Sequence, residues 1–248
     1  MRSASTIALL LAFANPTAAE EACPAAEITI NASAPISSAS RAWLEQELRQ
    51  AVHKVCTWWG ASFTSAFTVD VPESGGPSMA LVPAWRGQRG QVIFPASVVR
   101  AGRAAAVHEI VHVFAPNANR FLAEGLAIYA HEKLGGPTAY PNFGVSLHTA
   151  ARPYVQADIA SLDRLATPRV LELDRLGGRE AYLAAGSFVR FLIEQHGMDK
   201  FRRLYAMTAL VPRERNAGVT SRWREIYGLD LDQLAQSWRN SLNPPQRT

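Results

Sequence analysis

Between Ser40 and Trp59 apolar residues return every three to five positions, at Trp43, Leu44, Leu48, Val52, Val55 and Trp59, while Glu45, Glu47, Arg49 and Lys54 fill the other side. That period predicts an amphipathic helix, closed by Gly60. The pattern then changes. Ala66 to Val71, Met79 to Trp85 and Gln91 to Phe94 are rich in β-favouring residues and are separated by Gly75-Gly76-Pro77 and by the stretch from Gly87 to Gly90. They read as three short strands of a small sheet. A short apolar start, Glu27 to Ile30, has a strand-like pattern ahead of a polar stretch from Asn31 to Ser40. Helical composition resumes at Ala104 and dominates to the end, broken by Pro116, Gly135-Gly136-Pro137, Pro153, Pro168, Gly177-Gly178, Gly197 and Pro212. The order predicts an α+β fold. Residues 20–100 form an N-terminal helix and small-sheet lobe and residues 101–248 a helical lobe, the two making one compact unit, with a frayed tail from Asn243 to Thr248.

Composition adds the compartment more than the chemistry. With 248 residues and 48% hydrophobic content the chain can bury a core, and its net charge of +4 is spread without a basic block, which argues against a nucleic-acid stripe. Met1 and Arg2 precede an apolar run from Ile7 to Ala14 and the small residues Thr17-Ala18-Ala19, the layout of a cleavable secretory signal occupying residues 1–19. The run is too short for a permanent membrane anchor, and no later segment offers one. A secreted or periplasmic location is therefore expected, with lipid attachment at Cys23 a minor alternative. In such an oxidising compartment the two cysteines, Cys23 and Cys56, are most simply a disulfide tying the N-terminus to the first helix; metal binding by them would need neighbouring ligands they lack.

The candidate chemistry lies in His108-Glu109-Ile110-Val111-His112, an HExxH string. On a helix His108 and His112 project from one face a turn apart, so two imidazoles can grip one ion, while Val107, Val111 and Phe114 mark an apolar stripe for packing. Glu109 need not bind the ion. It is placed to take the proton of water activated by it, the general-base role. A catalytic zinc ordinarily has three protein ligands, and the third is sought on a second helix beginning at Asn119 or Arg120, where Glu124 can fold back towards the histidines and Gly125 permits close helix approach. A metzincin would need Gly at 115 and His at 118; these positions are Ala115 and Ala118.

HEIVH, then FLAEGLAIY, then AYLAAGSFVRFLIEQHG from Ala181 to Gly197 resembles the peptidase MA-like gluzincins, over roughly Gln91 to Gly197. The resemblance implies a zincin, thermolysin-like catalytic core with a small sheet over the HExxH helix, one zinc on His108, His112 and Glu124, and Glu109 as base and acid in peptide-bond hydrolysis. It also implies that Tyr182 hydrogen-bonds the oxyanion. Two departures stand out. Only eleven residues separate His112 from Glu124, and the position four after Glu124, often an aspartate in thermolysin-like enzymes, is Ile128. Support for a ligand histidine must then come from elsewhere, and Glu132 or a backbone carbonyl could supply it.

Other residues have bland readings beside the functional ones. His131, His148, Tyr140 and Tyr154 are minor candidates for lining the cleft or donating to a transition state, and His53 reads as a surface histidine. The strand from Gln91 to Phe94 is a candidate edge for pairing with an extended peptide, or a plain core strand. Phe188, Phe191 and Leu192 read as core, Arg190 as a solvated face. The expected partner is a peptide or protein substrate. Two other readings stay open at this point: a catalytically idle peptidase-like domain that binds a peptide or protein, and a zinc hydrolase of a non-peptide amide.

Overall fold

A computed structural model describes residues 23, 26–60, 66–73, 75–81, 90–163, 178–207 and 219–243. The secretory-signal segment 1–19, the extension of a strand to Trp85, the breaks at Pro168 and Pro212, and the last residues of the tail lie outside the described residues.

The first unit is a strand, helix, strand crossover. β1 (Glu27–Ala32) leads through α1 (Ser38–Trp59) to β2 (Ala66–Val71), and the two strands pair in parallel with Ile28 opposite Phe67 and Ile30 opposite Val69. Ser37 caps α1, its hydroxyl accepting from the Ser40 amide at 3.0 Å, so the helix begins earlier than its apolar period suggests. Gly60 closes it in the left-handed region at φ 82°. β3 (Met79–Leu81) and β4 (Gly90–Ile93) complete a four-stranded sheet in the order β1-β2-β4-β3, with β2–β4 parallel and β3–β4 antiparallel. The sheet thus has one strand more than the three read as its members. The strand from Gln91 lies between β2 and β3 and is no edge; among the described residues β3 is the edge on that side.

Helices cover the sheet. α2 (Ala96–Arg100) follows β4, and α3 (Ala106–Phe114) packs directly on it: a Cβ at Gly90 would stand 2.7 Å from Val113 Cγ1, so only glycine allows the approach. α4 (Arg120–Leu134) follows α3, and α5 (Leu147–Ala151) and α6 (Ile159–Asp163) lead towards α7 (Arg179–His196). α8 (Met198–Ala206), α9 (Arg222–Tyr227) and α10 (Leu231–Leu242) complete the helical part. Mostly helical with a small sheet, the chain is α+β. Leu44, Leu48 and Val55 of α1, Phe67 and Val69 of β2, Ile110 of α3, Phe121 of α4 and Phe188 of α7 join one continuous core, which also takes in Leu192 and nearly all of Phe191. Cys23 and Cys56 form the expected disulfide, with their Cα atoms 5.7 Å apart. No described helix is long and apolar enough to cross a membrane.

Candidate metal centre

α3 and α4 meet so that three donor atoms converge. His108 Nε2 and His112 Nε2 lie 3.2 Å apart, and Glu124 Oε2 is 3.3 Å from the first and 3.4 Å from the second. Two imidazole nitrogens and one carboxylate oxygen thus face a common point, a donor set that suits a divalent cation. A single cation in front of all three could be held by them. Ligands about 2.0–2.1 Å from a tetrahedral zinc stand about 3.3 Å from one another, and the observed sides match that length. His108, Glu109 and His112 also form a group whose ligand atoms lie within 4.8 Å of each other and could hold a metal ion.

The charge around the triangle is controlled by burial. Glu109 is 4% exposed, and desolvation raises its pKa to about 7, with His108 and Arg120 opposing the rise and Glu124 adding to it. Burial acts in the same direction on Glu124 but is overcome by His112 and Arg120 and by hydrogen bonds from both histidines, which hold its carboxyl well below the usual range. Arg120, one turn before Glu124, pairs with its outer oxygen Oε1 and leaves Oε2 to the histidines. Arg120 escaped the sequence reading, although its spacing of four from Glu124 on a helix was a usable signal.

α4 is itself anchored at its start. Asn119 caps it, accepting from the Leu122 amide at 3.0 Å, and its side-chain amide donates to the Asp163 carbonyl at 2.8 Å. Asp163 also receives Arg222, at 2.5 Å, and the Trp223 indole at 3.0 Å. Asn117 donates to the Tyr205 carbonyl at 2.9 Å, and the Tyr205 hydroxyl donates to the Ala115 carbonyl at 2.7 Å, which fixes the turn between α3 and α4. Further along, Gly125 abuts α7: a Cβ there would lie 2.7 Å from the Ala185 carbonyl oxygen. The close approach expected of Gly125 is therefore real, and it sets how deep Glu124 sits.

The centre opens into a cleft of about 610 Å³. Met79 and Ala80 of the edge strand β3 line it, with Val98, Arg103 and Ala105 nearby and Thr138 to Pro141, Phe143 and Tyr182 across from them in the chain. Tyr182 thus borders the same cleft as the histidines, its ring packed edge-on to Tyr140 at 5.5 Å.

Several other candidates have different work. Glu132 accepts from the Leu147 amide and from Arg190 at 3.1 Å, so it ties α4 to α5 and α7 and does not support a histidine of the triangle. Arg190 is correspondingly held by Glu132, Glu194 and Ser146, not spread over solvent. His131 shares a 2.8 Å hydrogen bond with the Pro137 carbonyl and does not line the cleft. His148 bonds Ser187 at 2.8 Å, and Ser187 receives Trp238 at 3.0 Å, a structural network away from the cleft. Tyr154 packs half-buried against the core. At Ile128 an aspartate has no place, because that side chain is 2% exposed and fills the space left by Gly186 on α7.

No protein-family model and no curated protein matches the chain. Solved structures of similar shape are M1 zinc metallopeptidases. A glutamate-to-alanine variant from Deinococcus radiodurans aligns with a TM-score of 0.47 and 16% identity, covering 88% of this chain and 49% of that one. A two-domain M1 enzyme bound to L-arginine gives 0.47 and 16%, with 85% and 47% coverage. The Deinococcus radiodurans variant bound to a Tyr-Ser-Ala substrate gives 0.45 and 17%, with 84% and 45% coverage. The chain spans about half the length of these structures.

Proposed function

We propose that the chain is a zinc-dependent metallopeptidase, with one zinc held by His108, His112 and Glu124 and with Glu109 as general base. The observation that carries this reading is the convergence of two imidazole nitrogens and a carboxylate oxygen within 3.4 Å of one another on the wall of an open cleft. Two imidazoles and one carboxylate suit a catalytic zinc, which would supply a Lewis acid that polarises a carbonyl and acidifies water.

The chain's own groups account for the rest of the chemistry. Glu109, with a pKa raised to about 7 by burial, takes a proton from the attacking water at neutral pH and returns it to the departing amine. Tyr182, on the same cleft, donates its hydroxyl to the oxygen that gains charge as the carbonyl is attacked. β3 offers the extended edge with which a peptide backbone pairs, in place of the inner strand from Gln91. Arg120 keeps Glu124 ionised and correctly turned. Export follows from the signal-like residues 1–19 and accords with the disulfide.

The test is cleavage of a mixed peptide library by the purified protein, with and without chelator, beside Glu109→Gln. Activity that disappears on chelation and in Glu109→Gln, while zinc content in the variant stays the same, supports the mechanism. Cleavage surviving both treatments refutes it. No cleavage by any preparation rejects catalysis in favour of a peptide-binding domain.

A further inference from the structure

We propose that the aromatic rim formed by Tyr140, Phe143 and Tyr182 is a specificity subsite that selects peptides by a large, uncharged apolar side chain near the scissile bond. This rests on the peptidase reading above and names the substrate class that reading leaves open. The three rings form a chain: Tyr182 on α7 meets Tyr140 at 5.5 Å and 73°, and Tyr140 meets Phe143 at 6.0 Å and 80°. All three line the cleft that contains His108 and Glu109. Yet Tyr140 is 46% and Phe143 56% exposed, an unusual amount of aromatic surface to leave in water beside a polar centre.

Phe143 supplies a second, independent argument. Its φ of 49° is in the left-handed region, where a bulky side chain is strained and glycine is at ease. The turn that imposes this conformation is well tied: the Phe143 amide donates to the Ala139 carbonyl at 2.8 Å, and Asn142 Nδ2 donates to the Val145 carbonyl at 2.7 Å. Arg179 Nε fastens the same segment to α7 by donating to the Pro141 carbonyl at 2.8 Å. The ring stays more than half exposed despite its contacts with Tyr140 and Arg179, so packing offsets only part of that strain. Contact with a ligand explains why an aromatic residue stands where the backbone favours glycine.

Charge decides what the ligand's side chain is. Ring faces attract cations as readily as apolar groups, but the Arg179 guanidinium already lies 5.5 Å from the Phe143 centroid, and Arg103 lines the cleft as well. The carboxylates among the described lining residues are Glu109 and Glu124, both committed at the centre. A lysine or arginine side chain would meet repulsion at the rim, and an uncharged aromatic or large aliphatic one would not.

The experiment uses three fluorogenic peptides identical except for Phe, Ala or Lys at one position, moved in turn along each side of the cleaved bond, with wild-type protein and Phe143→Gly. Wild type should favour Phe over both Ala and Lys by roughly tenfold in kcat/KM at one position. Phe143→Gly should lose most of that ratio while its melting temperature stays at or above the wild-type value, as relief of left-handed strain requires. An unchanged Phe-to-Ala ratio in the variant, or a preference for Lys, overturns the proposal even if peptides are cleaved. If none is cleaved, calorimetric binding of the same peptides still decides it: a Phe preference lost in Phe143→Gly sustains the subsite while catalysis fails, and equal binding of all three overturns it.

Discussion

Substituting Gly125 by alanine tests how the packing of α4 on α7 places the third ligand. A Cβ at this position would be 2.5 Å from Val189 Cγ2 and 2.7 Å from the Ala185 carbonyl oxygen. The valine can turn aside, whereas the carbonyl belongs to a helix backbone. Ordinary contact begins near 3.4 Å, so the helices must part by about 0.7 Å at a residue adjacent to Glu124. Inside an unhindered helix, glycine to alanine stabilises by about 1 kcal/mol; overpacking against backbone costs about 3 kcal/mol, the upper part of its usual range. The net loss is then about 2 kcal/mol, a drop of roughly 4–8 °C in melting temperature for a chain of this size. Metal sites tolerate ligand displacements of only about 0.2 Å, so zinc affinity, measured by competition with a chromophoric chelator, should fall at least about tenfold. Gly186→Ala is the control. Its Cβ would meet Ile128 Cγ2 at 2.7 Å, a side chain, and it should cost stability while leaving zinc affinity unchanged. A Gly125→Ala protein as stable as wild type, with unaltered affinity, would refute the argument.

Three further outcomes follow from the geometry. Arg120→Met keeps an apolar stem but removes the charge on the outer oxygen of Glu124, and zinc affinity should fall about 10- to 100-fold in the same competition assay. Reducing Cys23–Cys56 opens a loop of 33 residues and should lower unfolding stability by about 3–4 kcal/mol, read as a shift of the urea midpoint with and without reductant. Burial holds His131 and His148 below the ordinary histidine range, so the folded state binds fewer protons than the unfolded one. The stability tied to these groups is complete above about pH 6.5 and is lost as pH falls below it, while buried Glu109, raised to about 7, acts in the opposite direction over the same range. The change in urea midpoint from pH 7.5 to pH 5.5 should therefore be more favourable in His148→Gln than in wild type, Glu109 being common to both, and an identical change contradicts the reading.

The sequence made the local parts of this architecture legible. HEIVH fixes the relative placement of two imidazoles because four positions on a helix are one turn, and the helix from Arg120 brings Glu124 back because the intervening turn is short. Gly125 could be read for the same reason: its neighbour in space is implied by the need for Glu124 to sit deep. What depends on distant pairings was hidden. The order β1-β2-β4-β3, which makes β3 the edge among the described residues and places the strand from Gln91 inside, is set by pairings between segments up to 39 residues apart. Asp163 and Arg222, which anchor the start of α4, are 59 residues apart, and no periodicity joins them. Glu132 and His148 look like free functional groups along the chain and are claimed by Arg190 and Ser187 once the helices pack. The aromatic rim belongs to the same class, since Tyr182 meets Tyr140 only because α7 returns beside the loop after α4.

The most direct measurement is zinc stoichiometry combined with X-ray absorption at the zinc edge, on wild type and on His108→Ala, His112→Ala and Glu124→Ala. One zinc per chain is expected, with two imidazoles and oxygen ligands about 2.0–2.1 Å away, and loss of tight binding in each of the three variants. Zinc bound with full affinity in Glu124→Ala, or a wild-type protein that takes up none, would contradict it.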